Sequence, residues 1–200
     1  MKNLFKKSLK LNQNKLCAVV VPLYKLNLSD NEILSIRQCF NLLSKYDIYF
    51  VVPDDDRALS IPKSLLPFKP KATITFSVNY FKSITGYNRL MITSKFYKSF
   101  MNYEYVLIYQ TDAYVFFDSV EHWCEKKYDY VGAPWFKAEE HQSDLEKSFI
   151  GIGNGGLSLR KVSAMLKVLH SFKYVYSYKQ CQLFLDKQPN MNFIKKHLVS

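Results

Sequence analysis

Asp112 closes the segment Tyr105 to Asp112 (YVLIYQTD). Its apolar, β-prone run through Tyr109 reads as a strand buried on both faces. The polar step Gln110-Thr111 would then deliver the Asp112 carboxylate to the carboxyl edge of a sheet, where ligands of open α/β folds bind. A lone carboxylate in that place suits a Mg²⁺ or Mn²⁺ already partly ligated by phosphates. Such an ion would neutralise charge building on a departing diphosphate. Gln110 and Thr111 become candidate donor contacts by the same placement. The competing reading makes Asp112 a turn or helix cap.

A second signal is the clustering of four of the six glycines in Gly151-Ile152-Gly153-Asn154-Gly155-Gly156. Glycines gather where the backbone needs positive φ or close approach to something. The spacing of Val162, Met165, Leu166, Leu169 and Phe172 predicts a helix from about Ser158, whose free N–H groups would seat a phosphate or a sugar hydroxyl. A side chain at Gly155 or Gly156 is therefore expected to do far more harm than one at Gly86. The hexapeptide also satisfies G-x-G-x-x-G. A dinucleotide fingerprint, however, follows the first strand and needs an acid about 20 residues later to hold the ribose. Neither condition is met.

Three weaker candidates remain. Asp54-Asp55-Asp56 follows Pro53 and reads either as a solvated turn or as a nucleoside contact through Asp55. Tyr87-Asn88-Arg89, expected at a helix start, offers Asn88 and Arg89 to the donor diphosphate, or is simply a charged helix end. Trp135, after Gly132-Ala133-Pro134, is either core or a platform on which an acceptor sugar stacks.

The elements that must position these residues alternate along the chain. Leu16 to Tyr24 is a valine-rich buried strand. Ser29 and Glu32 have capping-box spacing ahead of Ile33, Ile36, Phe40 and Leu43, and a second strand spans Ile48 to Val52. Strand, helix, strand in this order predicts a right-handed crossover between adjacent parallel strands. A loop is expected over 57–71, a short strand over Thr73 to Ser77 and a helix over Asn88 to Met101. The strand ending at Tyr109 follows, then a short helix framed by Asp118 and Glu121, extended chain from Tyr130, and a polar loop over 137–149. The expectation is one α/β domain over 16–172, a mostly parallel sheet flanked by helices, with a basic tail at 1–15 and a Tyr- and Lys-rich segment at 173–200.

Composition narrows the partners. The formal charge of the 200-residue chain is +11, but residues 1–15 carry +5 and residues 160–200 carry +7, leaving the body near neutral. Basic ends on a neutral body favour a phosphorylated ligand or peripheral contact with an anionic membrane over nucleic acid. The four cysteines form no C-x-x-C pair and read as reduced, buried thiols of a cytoplasmic protein. The histidines lack metal-ligand spacing, and no apolar run is long enough to cross a bilayer.

Three segments in order carry a resemblance: 105–113 (YVLIYQTDA), 128–135 (YDYVGAPW) and 153–161 (GNGGLSLRK). Together with the opening strand and Tyr87-Asn88-Arg89, they resemble a family of bacterial glycosyltransferases that carries a domain-of-unknown-function label and is similar to the GT-A superfamily. The resemblance implies a GT-A-like, Rossmann-like sheet. It also implies transfer of a sugar from a nucleoside-diphosphate sugar to a glycan or other cell-surface acceptor at the inner face of a membrane. Asp112 would hold the Mn²⁺ or Mg²⁺, and Asn154, Gly155, Gly156 and Trp135 would shape the sugar or acceptor pocket. GT-A enzymes commonly use Asp-x-Asp, of which Thr111-Asp112-Ala113 keeps one carboxylate. The family's acidic base segment also has no match, since Asp186 is the only acid after Gly156. Either Asp186 is the base from an unusual context or the chain is truncated, which the motif favours. A GT-A-like binding protein without turnover and a nucleotidyltransferase of similar fold are the alternatives.

Overall fold

The computed structural model describes residues 15–25, 27–55, 65–136 and 149–171; for 135–136 and 149–153 it describes the backbone. Six strands form one sheet in the order β3-β2-β1-β4-β6-β5. They are β1 (Lys15–Pro22), β2 (Asp47–Pro53), β3 (Ala72–Phe76), β4 (Tyr103–Tyr109), β5 (Tyr130–Phe136) and β6 (Phe149–Lys161). β1, β2, β3 and β4 pair in parallel, and β6 runs antiparallel to both β4 and β5. Five strands thus share one direction, and the sheet is mostly parallel as expected.

β1 reads KLCAVVVP and is buried from Cys17 onward, as a central parallel strand covered on both faces must be. Helix α1 (Asp30–Leu42) starts on the anticipated capping box. The Ser29 backbone N–H donates to Glu32 Oε2 at 2.8 Å, and Ser29 Oγ accepts from the Glu32 N–H at 3.4 Å. A cap of this kind stabilises a helix by about 1 kcal/mol. α1 and α4 (Val120–Glu125) cover one face, where Val19, Ile36, Cys39, Phe50, Tyr105 and Tyr109 pack. α2 (Ile84–Leu90), α3 (Ser94–Lys98) and α5 (Val162–Leu169) cover the other, over Val20, Val106, Ile108, Phe96 and Phe100. Each fully buried side chain of this size contributes about 1.5–3 kcal/mol.

Two elements differ from the sequence reading. The helix expected over Asn88 to Met101 is two helices. Thr93 separates them, donating its hydroxyl to the Leu90 carbonyl at 2.9 Å and accepting from the Phe96 N–H at 3.3 Å. Asn88 and Arg89 therefore sit in the last turn of α2, not at a helix start. The larger change is in β6. Residues 149–161 are strand throughout, and α5 begins only at Val162. Leu157 and Leu159 pack toward α1 and α4, while Ser158 and Arg160 take the opposite face. This period of two outweighs the helical spacing that begins at Val162.

That correction relocates a proposed anion seat. β6 runs against β4, and Lys161 pairs with Tyr105. The N-terminus of α5 therefore lies toward the amino edge of the sheet, away from Asp112. It cannot act on a ligand beside the glycine cluster.

Candidate functional site

Connections leave β1 toward β2 and leave β4 toward β5 and β6, so the strand order reverses between β1 and β4. The crevice of an open α/β sheet opens at such a reversal, beyond the carboxyl ends of the strands. The loop Gln110 to Ala113 lies there, following β4. Tyr109 OH donates to the Ala113 carbonyl at 3.2 Å, and Ser35 Oγ donates to the same oxygen. The Ala113 N–H closes the turn on the Gln110 carbonyl at 3.0 Å. The loop is thus pinned to α1 from below.

Thr111 is buried and donates to Glu32 Oε1 at 3.1 Å. Glu32 Oε2 also holds Lys25 Nζ at 2.9 Å. Burial would raise the Glu32 pKa. Hydrogen bonds from Ser29, Lys25 and Thr111 outweigh it and hold the carboxyl at about 2. Thr111 therefore joins the loop to the cap of α1, and its hydroxyl is spent on structure, not offered to a donor. Asp112, the next residue, is exposed and makes no hydrogen bond or ion pair among the described residues. The capping role considered for it is not found.

Gln110 faces the glycines. Its N–H donates to the Gly156 carbonyl at 2.8 Å, extending the β4–β6 ladder. A Cβ on Gly156 would lie 2.7 Å from Gln110 Oε1 and 3.3 Å from Asn154 Oδ1. Asn154 Oδ1 in turn accepts the Gly156 N–H at 2.9 Å. Opposite β5, β6 bulges: Gly132 pairs with Ser158 and Ala133 with Asn154, leaving Gly155, Gly156 and Leu157 without a β5 partner. Bulges recur beside active sites because they re-aim side chains and end pairing. The glycine cluster thus serves close approach, as expected, but within a strand.

Arg160 lies beneath this bulge, 6% exposed. Its Nε donates to Ser158 Oγ at 3.0 Å, Nη1 to Tyr97 OH at 3.0 Å and Nη2 to the Gly155 carbonyl at 3.5 Å. The guanidinium stands 5.5 Å from the centre of the Tyr130 ring, whose hydroxyl donates to the Asn154 carbonyl at 3.2 Å. No carboxylate pairs with Arg160 among the described residues. Tyr87, from α2, completes the group. Its hydroxyl is buried and reaches no partner at hydrogen-bond geometry. Burial raises its pKa; nearby Gln110 and Arg160 oppose the rise, and Asp112 adds to it. The Tyr87 hydroxyl is therefore within electrostatic reach of all three.

The structure brings together Gln110, Asp112, Asn154, Gly155 and Gly156. Asn88 and Arg89 are exposed on α2, while their neighbour Tyr87 turns inward. Asp55 is half-buried just beyond β2, and Asp54 accepts the Val78 N–H at 2.7 Å. The backbone of Trp135 pairs with Gly151 in β5 and β6. Asp186 and Asp56 lie outside the described residues. Sequence reasoning missed Arg160, Tyr87, Tyr97 and Tyr130. The usable signal was the alternation Leu157-Ser158-Leu159-Arg160, which puts a cation on the inner face of a strand. A separate cavity of about 330 Å³ lies on the α1 and α4 face, lined by Tyr109, Tyr114, Phe116, Trp123 and Leu157. It is mainly apolar and offers no charge to a diphosphate.

No helix among the described residues is long and apolar enough to cross a membrane. No cluster of three or more acidic, histidine or cysteine side chains that could cage a metal occurs among them either. Cys17, Cys39 and Cys124 are buried free thiols; Cys181 is outside the described residues.

The fold defines an α/β protein with a mostly parallel sheet whose strand order reverses between β1 and β4. The chain belongs to the family described as "Protein of unknown function (DUF5672)", which matches residues 71–195. That span contains both the Gln110–Asp112 loop and β6. No curated protein matches the chain. Among solved structures it is similar to a 4-diphosphocytidyl-2C-methyl-D-erythritol synthase from Anaerococcus prevotii. The two share 13% identity over 86% of this chain and 83% of that one, with a TM-score of 0.45.

Proposed function

We propose that the protein is a glycosyltransferase that takes a sugar from a nucleoside-diphosphate sugar bound at the carboxyl ends of β1 and β4. The observation that carries this reading is Asp112. It is an exposed carboxylate at the switch point, without a partner among the described residues, one residue beyond a threonine locked to α1. Its rigid anchor and open face suit a divalent ion brought by a diphosphate, not one caged by protein alone. When bound, Mn²⁺ or Mg²⁺ would offset the negative charge of the leaving diphosphate.

The chain's own residues set the rest. Gln110, Asn154 and the Gly155-Gly156 bulge form a wall that admits a sugar ring close to the backbone. In transfer, the acceptor oxygen bonds to the anomeric carbon. The bond from that carbon to the diphosphate oxygen breaks, with its electron pair leaving on the nucleoside diphosphate. The acceptor hydroxyl proton passes to a base, for which Asp186 is the sequence candidate. A glycan precursor at the inner face of a membrane suits the basic ends of the chain.

The test is a thermal-shift screen of nucleoside diphosphates and their sugars with and without Mn²⁺. A metal-dependent rise in melting temperature, lost in Asp112→Asn, is expected. An unchanged metal response in that variant removes Asp112 from the site. Release of pyrophosphate in place of a nucleoside diphosphate on turnover would mark a nucleotidyltransferase.

A further inference from the structure

A guanidinium carries five N–H donors in a fixed planar fork. In Arg160 the Ser158, Tyr97 and Gly155 oxygens take three of them, the last at a marginal 3.5 Å. A buried cation without a counter-charge is costly, and a protein retains one where something else supplies the charge. Tyr97 cannot supply it. Its hydroxyl donates its own proton to the Met91 carbonyl at 2.8 Å and so serves Arg160 as a neutral acceptor.

The way to the guanidinium is set by a missing side chain. Among the described residues, a Cβ on Gly155 would meet one atom outside its chain neighbours, Arg160 Nη2, at 3.1 Å. The glycine therefore leaves uncovered the nitrogen that has the weakest partner. Gly156 does the same for the Gln110 carboxamide. The Tyr87 hydroxyl, buried with no partner at good hydrogen-bond geometry and only the Gln110 side chain within weaker reach, completes the group. Leaving such a hydroxyl buried and unpaired destabilises a protein unless a ligand satisfies it.

We propose that Arg160, reached through the gap at Gly155, forms with Tyr87 and Gln110 a metal-independent subsite for an anionic oxygen group of the ligand. The group is a phosphate of the diphosphate or a carboxylate of an acidic sugar, both of which a planar guanidinium recognises well. This deepens the glycosyltransferase reading and rests on it for the identity of the ligand, but not for the site, since Asp112 and its ion take no part.

The experiment is a calorimetric titration of the full chain in EDTA with inorganic pyrophosphate and, separately, with glucuronate. Wild type, Asp112→Asn, Tyr87→Phe, Gly155→Ala and Arg160→Gln are compared. Wild type should bind at least one probe, and Asp112→Asn, which removes a negative charge near the subsite, should bind it at least as tightly. Affinity should fall at least tenfold in Gly155→Ala and Arg160→Gln, and about threefold or more in Tyr87→Phe. Arg160→Gln could fail to fold. Tyr87→Phe removes only an unpaired hydroxyl and should melt no lower than wild type, so it decides the matter together with Gly155→Ala. The preferred probe tells phosphate from carboxylate. Failure of wild type to bind either probe in EDTA overturns the subsite, as does unchanged affinity in folded Tyr87→Phe and Gly155→Ala. A metal-dependent response to nucleoside diphosphates without any binding in EDTA would sink this inference and leave the glycosyltransferase reading standing.

Discussion

Two aspartates stand at opposite edges of the same sheet. At the amino edge, Asp47 opens β2, and its Oδ2 accepts from Lys15 Nζ at 2.7 Å, Lys71 Nζ at 2.8 Å and Tyr103 OH at 2.6 Å. Burial would raise its pKa, but these three donors override it and hold the carboxyl well below the usual carboxylate range. At the carboxyl edge, Asp112 has no such partner among the described residues, nor does the Tyr87 hydroxyl, and no described carboxylate pairs with the Arg160 cation. One edge is chemically closed and the other open. Closed groups should matter to stability and open ones to binding.

The largest effect expected is at Gly86. A Cβ there would lie 2.8 Å from the Asn79 carbonyl oxygen and 3.0 Å from that of Tyr80. Backbone atoms cannot yield as a side-chain tip can, so Gly86→Val should cost about 3 kcal/mol. This reverses the sequence expectation that Gly86 is the more tolerant position. Denaturant melts of Gly86→Val beside Gly155→Val would show it, and equal midpoints would refute it.

Next comes Asp47→Ala, which frees two solvent-exposed lysines and leaves the Tyr103 hydroxyl to Tyr49 alone, and should cost about 1 kcal/mol. Its binding of nucleoside diphosphate with Mn²⁺ should stay at the wild-type level. A variant with normal melting and weakened binding would erase the contrast between the edges.

Gly156→Ala should destabilise by about 1 kcal/mol, since Gln110 Oε1 can move from the new methyl group. The displaced carboxamide should nonetheless weaken ligand binding, read by titration. Asp112→Asn should leave unliganded stability within about 0.5 kcal/mol of wild type, as for an exposed group without partners. A larger loss would mean that this carboxylate carries structure after all.

The smallest effect is a pH dependence at Glu32, the saturated acid next to the open site. Its folded pKa of about 2 lies below its ordinary 4.5, so folding favours the ionised form. That contribution is complete above about pH 4.5 and is lost as pH falls through about 2. Melting of Glu32→Gln should therefore fall less steeply over this range than wild type. Parallel curves would show that Thr111 and Lys25 add nothing at this carboxylate.

The site was only partly legible. The placement of Asp112 at the carboxyl edge was legible because an apolar, β-prone run that ends in a polar step marks the end of a strand. Asn88 and Arg89 were favoured over Tyr87 because charge is visible in a sequence and the inward turn of a tyrosine is not. Thr111 was taken as a donor contact because nothing in its neighbourhood reveals Glu32, which lies 79 residues earlier. Asp55 entered by its place after the second strand, and Asp186 as the one acid after Gly156.

By itself the sequence determined the local elements: the valine-rich β1, the Ser29–Glu32 cap of α1 and the strand that carries Asp112. Each follows from side-chain periodicity and short-range hydrogen bonding, which depend on near neighbours. The tertiary structure alone decided what β6 is and what the glycines are for. Pairing with β4 held Leu157 to Lys161 in a strand, and the mismatch with β5 raised Gly155 and Gly156 into a bulge over Arg160. Those contacts join residues far apart in the chain, and a buried guanidinium acquires its role only from what the fold places, or omits, around it.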